Sequence, residues 1–139
     1  MSDPRSDLIA TARAMQPAGL NRGTAGNVSV RAGDGFHITP TGMPYDTLVA
    51  DDIPLMAIDG TYQGRRKPSS EWRFHRDLYA SRPEVGAVLH AHSPFAVSLA
   101  CLRRDIPPFH YMISRFGGAT DGVAAKVGDQ VVEGRNVAA

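Results

Sequence analysis

Apolar and polar residues recur with two different periods along this chain, and the changes of period predict its elements. Leu8, Ile9, Ala12 and Met15 fall at helical spacing. Asp3-Pro4 ahead of them supplies an N-cap and a first-turn proline, and Pro17 and Gly19 end the helix. From Asn27 the period drops to two: Val28 and Val30 share one face, and Asn27, Ser29 and Arg31 share the other. Gly33-Asp34-Gly35 is a turn, and Phe36 to Thr39 is the return strand of a hairpin. Pro40-Thr41-Gly42 ends it. Leu55–Ile58 predicts a short strand, with Asp59-Gly60 as its turn and Thr61 to Gln63 as its partner. Ser69-Ser70-Glu71 predicts a helix N-terminus. Trp72, His75, Leu78 and Tyr79 form the buried stripe of that helix, and Pro83 ends it. Gly86 to Ala91 predicts an apolar strand, Phe95 to Leu102 a helix opened by Ser93-Pro94, and Phe109 to Ser114 a further strand after Pro107-Pro108. Gly117 to Ala139 has no aromatic residue and no histidine, and its larger apolar residues are all valines. It can add little core and is expected to be loosely held.

Length and composition change this picture only at the edges. The 139 residues suit one domain, and 42% hydrophobic with 21% charged residues is enough to build a core, which excludes a disordered chain. Fifteen basic residues against fourteen acidic ones, mixed along the sequence, leave no nucleic-acid footprint or membrane patch. The expected partner is a small molecule or another copy of the chain. The single cysteine, Cys101, excludes an internal disulfide and fits a reducing compartment. Its place between Ala100 and Leu102 reads as a buried small hydrophobe. Met1–Leu8 has no apolar run of the kind a secretory leader carries, so a cytoplasmic location is expected.

Three local patterns could carry chemistry. His90-Ala91-His92 follows the apolar run Ala87-Val88-Leu89. Residues i and i+2 of a strand share a face, so both imidazoles would converge, either to grip zinc or as hydrogen-bonded histidines at a strand end. Lys67-Pro68-Ser69-Ser70-Glu71 sets two hydroxyls at a helix N-terminus, which is either an anion site or ordinary capping. Glu71 there is a general base or a first-turn acid, and His75, four residues on, makes a Glu–His pair on the same helix face. Gly23-Thr24-Ala25-Gly26-Asn27 and Thr39-Pro40-Thr41-Gly42 are loops in which a backbone could approach a ligand closely, or simply turns.

The order of these motifs is more specific than any one of them. Gly19 to Ser29, Ile38 to Gly42, Lys67 to His75, His90-Ala91-His92 and His110-Tyr111-Met112-Ile113, within a stretch from Leu8 to Gly118, resemble the class II aldolase/adducin family, and most of all its fuculose-type branch. The resemblance implies an α/β fold of three layers, with a mixed, mostly antiparallel central sheet flanked by helices. It implies zinc on His90 and His92, Glu71 as catalytic acid/base, and Tyr111 as a catalytic proton donor reaching a neighbouring subunit's site. It implies phosphate held by Gly26, Asn27, Thr41, Gly42, Ser69 and Ser70. The implied reaction is aldol cleavage of a phosphorylated ketose, a ketose 1-phosphate, to dihydroxyacetone phosphate and an aldehyde, by a homo-oligomer that is a tetramer in this branch. Alternatives are a 4-epimerase or dehydratase reaction on the same scaffold, or a non-catalytic adducin-like binding or assembly module. The family's third zinc histidine lies in a segment with no counterpart here. Residues 1–118 therefore read as an incomplete family domain, and 119–139 as a divergent tail. A truncated or altered member, Glu71 as third ligand, and loss of metal and catalysis are the competing explanations.

Overall fold

The alternation of the first strand dictates the layering. In a computed structural model, which describes residues 3–103 and 131–135, α1 (Pro4–Met15) covers one face of the sheet and α2 (Trp72–Ser81) the other. Strands β1 (Asn27–Ala32) and β2 (Gly35–Ile38) form the expected hairpin, and β3 (Leu55–Ala57) and β4 (Tyr62–Gln63) form a second. With β5 (Val85–His90) and β6 (Val131–Arg135) they make one sheet in the order β4-β3-β2-β1-β5-β6. Helix α3 (Pro94–Cys101) follows β5.

Val28 points to the α1 face and packs with Leu8, Ile9, Ala12, Met15, Tyr45 and Leu48. On the α2 face Phe36, Ile38, Met56, Tyr79, Val85 and Val88 form a second core, with the Phe36 and Tyr79 ring centroids 4.9 Å apart. A layer of apolar side chains on each face of a sheet is what a three-layer α/β domain requires. The register pairs Asn27 with His90 and Ser29 with Val88, which places the polar side chains of β1 on the α2 face beside the end of β5.

Two expectations are corrected. Helix α2 begins at Trp72 with Glu71 as its N-cap, not at the serines. An antiparallel bridge between Pro40 and Pro68, with Ser69 N–H donating to the Thr39 carbonyl at 3.0 Å, keeps the chain extended through Ser69. Every strand pairing among the described residues is antiparallel, in keeping with the mostly antiparallel sheet that was expected. Cys101 is exposed, because α3 turns only Ala96 fully inward. Strand β6 pairs with β5 at the edge of the sheet. The strand predicted over Phe109 to Ser114, and with it His110 and Tyr111, lies outside the described residues. No helix among the described residues is long and apolar enough to cross a membrane.

Candidate metal centre and anion pocket

Strand alternation brings His90 to the α2 face at the last position of β5, where it is 1% exposed. His92 lies beyond the strand, yet its Nε2 comes within 2.9 Å of His90 Nε2, with the rings perpendicular. Its backbone is held by Asn21, whose Oδ1 accepts the His92 N–H at 3.0 Å. Gly26 has φ +76°, and a Cβ there would collide with the Asn21 amide. The glycine therefore serves both the turn and the close approach. The expected convergence of the two imidazoles holds, although only one of them belongs to the strand.

Glu71 enters from the N-cap of α2. Its Oε1 lies 3.4 Å from His90 Nε2, and its backbone N–H donates to Ser69 Oγ at 3.3 Å. Glu71, His90 and His92 thus present one ligand atom each, all within 4.8 Å of one another. Donors about 2.0–2.2 Å from a shared tetrahedral ion stand roughly 3.4 Å apart; the His90–His92 and His90–Glu71 spacings, 2.9 and 3.4 Å, are near this, and two imidazoles beside a carboxylate are a donor set that suits zinc. The other ring nitrogen of His90, Nδ1, is buried with no hydrogen-bond partner among the described residues.

Beside this cluster opens a cavity of about 330 Å³. Gly26 and Asn27 line it from the first loop, Thr41 and Gly42 from the second, and Ser69 and Ser70 from the third, with Glu71 and His92 in its wall. Tyr45 clamps the first loop by donating its hydroxyl to the Gly26 carbonyl at 2.6 Å, and burial pushes that phenol up to about 12. The Asn27 side chain is only 2% exposed and engaged at both ends. Its Nδ2 donates to Glu71 Oε2 at 2.6 Å, and its Oδ1 meets His75 Nε2.

His75 does not meet Glu71 directly, as their spacing suggested; Asn27 stands between them. Burial, reinforced by the nearby His90, pushes the His75 imidazole down to about 3, so it is neutral. Its Nδ1 faces Ser29 Oγ at 2.6 Å, and Ser29 Oγ faces the Tyr79 hydroxyl at 2.8 Å. Burial pushes that phenol up to about 12 as well. Motif reading missed Asn21, Ser29 and Tyr79. The available signal was that polar residues two apart on β1, Asn27 and Ser29, face polar-tipped residues four apart on α2, His75 and Tyr79.

Known proteins resemble this chain over most of its length. Residues 6–139 match the sequence model of the class II aldolase and adducin N-terminal domain. The 5-methylthioribulose-1-phosphate/5-deoxyribulose-1-phosphate aldolase of Rhodospirillum rubrum is 56% identical over 114 residues, covering 82% of this chain and 52% of that protein. The L-fuculose phosphate aldolase of Escherichia coli strain K12 is 48% identical over 111 residues, covering 80% and 52%. A solved L-fuculose 1-phosphate aldolase superimposes with a TM-score of 0.76 at 38% identity, covering 82% of this chain and 55% of that one. The chain spans about half the length of the curated relatives it matches. The family model extends beyond Gly118, where the recognisable motifs stop, to the last residue. On the match over nearly its whole length, this chain belongs to the class II aldolase and adducin family.

Proposed function

We propose that the site supports metal-dependent aldol cleavage of a ketose 1-phosphate to dihydroxyacetone phosphate and an aldehyde. The observation that carries this reading is the convergence of Glu71, His90 and His92 at the edge of a cavity walled by three loops, each bearing hydroxyls and two of them a glycine. His90 and His92 would hold zinc, with the Glu71 carboxylate beside them. Bound there, zinc would supply Lewis-acid withdrawal of electron density from the substrate ketone.

The remaining chemistry falls to the chain's own groups. Thr41, Ser69 and Ser70 hydroxyls, with the backbone of Gly26, Asn27 and Gly42, hold the substrate phosphate and fix the distance from phosphate to reacting carbon. Cleavage breaks the C3–C4 bond, and its electron pair remains on the three-carbon phosphate fragment. The C4 hydroxyl loses its proton and becomes the aldehyde, and C3 gains a proton. Glu71 holds and delivers that proton, a role its one-third exposure and the hold of Asn27 on its Oε2 support. Tyr111 is proposed as the hydrogen-bond donor to the departing aldehyde oxygen.

Purified protein with added zinc should release dihydroxyacetone phosphate from fuculose 1-phosphate, 5-deoxyribulose 1-phosphate or methylthioribulose 1-phosphate, followed with a coupled reductase. Release no greater than that of Glu71→Gln on every substrate defeats the reading.

A further inference from the structure

We propose that Tyr79, Ser29, His75 and Asn27 form a buried hydrogen-bond chain of fixed direction that positions the Glu71 carboxylate, holding its Oε1 toward the histidine pair. All four are positioning residues that act through Glu71. The consequence for metal binding rests on the proposed function; the chain itself rests on the contact geometry and the donor and acceptor chemistry of its groups.

The direction follows from donor and acceptor chemistry. An ionised carboxylate only accepts, so the atom of Asn27 that lies 2.6 Å from Glu71 Oε2 must be the amide nitrogen. The Asn27 carbonyl oxygen then faces His75 Nε2 and also only accepts, so Nε2 carries the imidazole hydrogen. His75 Nδ1 is left as an acceptor, and Ser29 must donate to it across 2.6 Å. With its hydrogen spent, Ser29 Oγ accepts from the Tyr79 hydroxyl at 2.8 Å. Reversing any link would set two acceptors or two hydrogens against each other. Every hydrogen therefore points toward Glu71, and the carboxylate charge sets the sense of the whole chain.

The four side chains are between 0% and 2% exposed. Two come from one face of β1 and two from the facing side of α2, a position that apolar residues could fill without needing partners. The chain closes on Glu71 Oε2 while Ser69 Oγ holds the Glu71 backbone N–H, which leaves Oε1 as the oxygen turned to His90. Groups that orient a ligand or base in this way commonly change metal affinity by about tenfold or more when removed.

The test uses the full chain, metal-free, at one pH near neutrality, with ¹⁵N-labelled imidazoles and ¹³C-labelled glutamate carboxyls. His75 should read as the Nε2–H tautomer with a hydrogen-bonded Nδ1. Tyr79→Phe and Ser29→Ala, neither of which touches Glu71, should both move the Glu71 carboxyl resonance. His75→Leu should move it further, and His75→Gln, whose amide can accept from Ser29 and donate to Asn27, should restore most of the shift. An Nδ1–H tautomer, or a Glu71 resonance unchanged in folded Tyr79→Phe, overturns the chain. If Ser29→Ala fails to fold, Tyr79→Phe, which loses a single hydroxyl, decides.

A cobalt titration of the same proteins supplies the second arm. His75→Leu should weaken Co²⁺ binding about tenfold, and His75→Gln should stay close to wild type. Equal cobalt affinity in wild type and His75→Leu overturns the positioning role. No cobalt binding by wild type, with the Glu71 resonance still responding to Tyr79→Phe, defeats the proposed function and upholds the chain.

Discussion

Acidification from pH 7 to pH 4.5 should destabilise this fold through one buried imidazole. His75 has no exposed surface, and burial holds it at about 3 against the usual 6.5. Its folded value is depressed, so the unfolded chain takes up a proton that the folded chain refuses. The stability from keeping His75 neutral is fully present above pH 6.5. It falls as the pH drops below 6.5 and stops falling near pH 3, where the folded form also takes the proton. The slope within that window approaches about 1.4 kcal/mol per pH unit. Integrated from pH 7 to 4.5, the loss is about 2.5 kcal/mol. Urea midpoints measured across this range should fall steeply in wild type. They should fall less in His75→Gln, which keeps a donor and an acceptor in place but cannot charge. Parallel pH dependence in the two proteins would refute the placement of a neutral imidazole among Asn27, Ser29 and Tyr79.

Two further outcomes follow from packing. Gly26→Ala should cost roughly 1–3 kcal/mol in urea unfolding, because it strains a positive φ and drives the Asn21 amide off His92; Gly19→Ala, also at positive φ but in open space, should show only the backbone strain of about 1 kcal/mol. Phe36→Ala should lower stability by about 3–5 kcal/mol by emptying the α2-side core, and calorimetry would show it as a fall in Tm.

What could be read from the sequence follows the range of the interactions involved. The β1–β2 hairpin was legible because Val28 and Val30 alternate with polar residues up to Gly33-Asp34-Gly35, and alternation needs no distant partner. The meeting of His90 and His92 was legible for the same local reason, although Asn21, 71 residues away from His92, is what fixes the second ring's backbone. The start of α2 was misplaced because the bridge between Pro40 and Pro68 keeps the chain extended up to Ser69, so Ser69 Oγ accepts from Glu71 N–H ahead of the first helical residue, Trp72. Neither partner shows this alone. Ser29 looked like an ordinary polar position on a half-exposed strand; only the docking of α2 buries it against His75 and Tyr79. The exposure of Cys101 depends on how little covers α3, which local hydrophobicity does not record.

In this reading His90 and His92 hold one ion, with the Glu71 carboxylate beside it. Zinc titration by calorimetry, with metal content measured after dialysis, addresses it most directly. Wild type should retain one zinc per chain; His90→Ala and His92→Ala should lose it, while His37→Ala, whose ring belongs to the opposite face of the sheet, should keep it. Zinc held equally well after His90 and His92 are both replaced, or not held by wild type at all, would contradict the account.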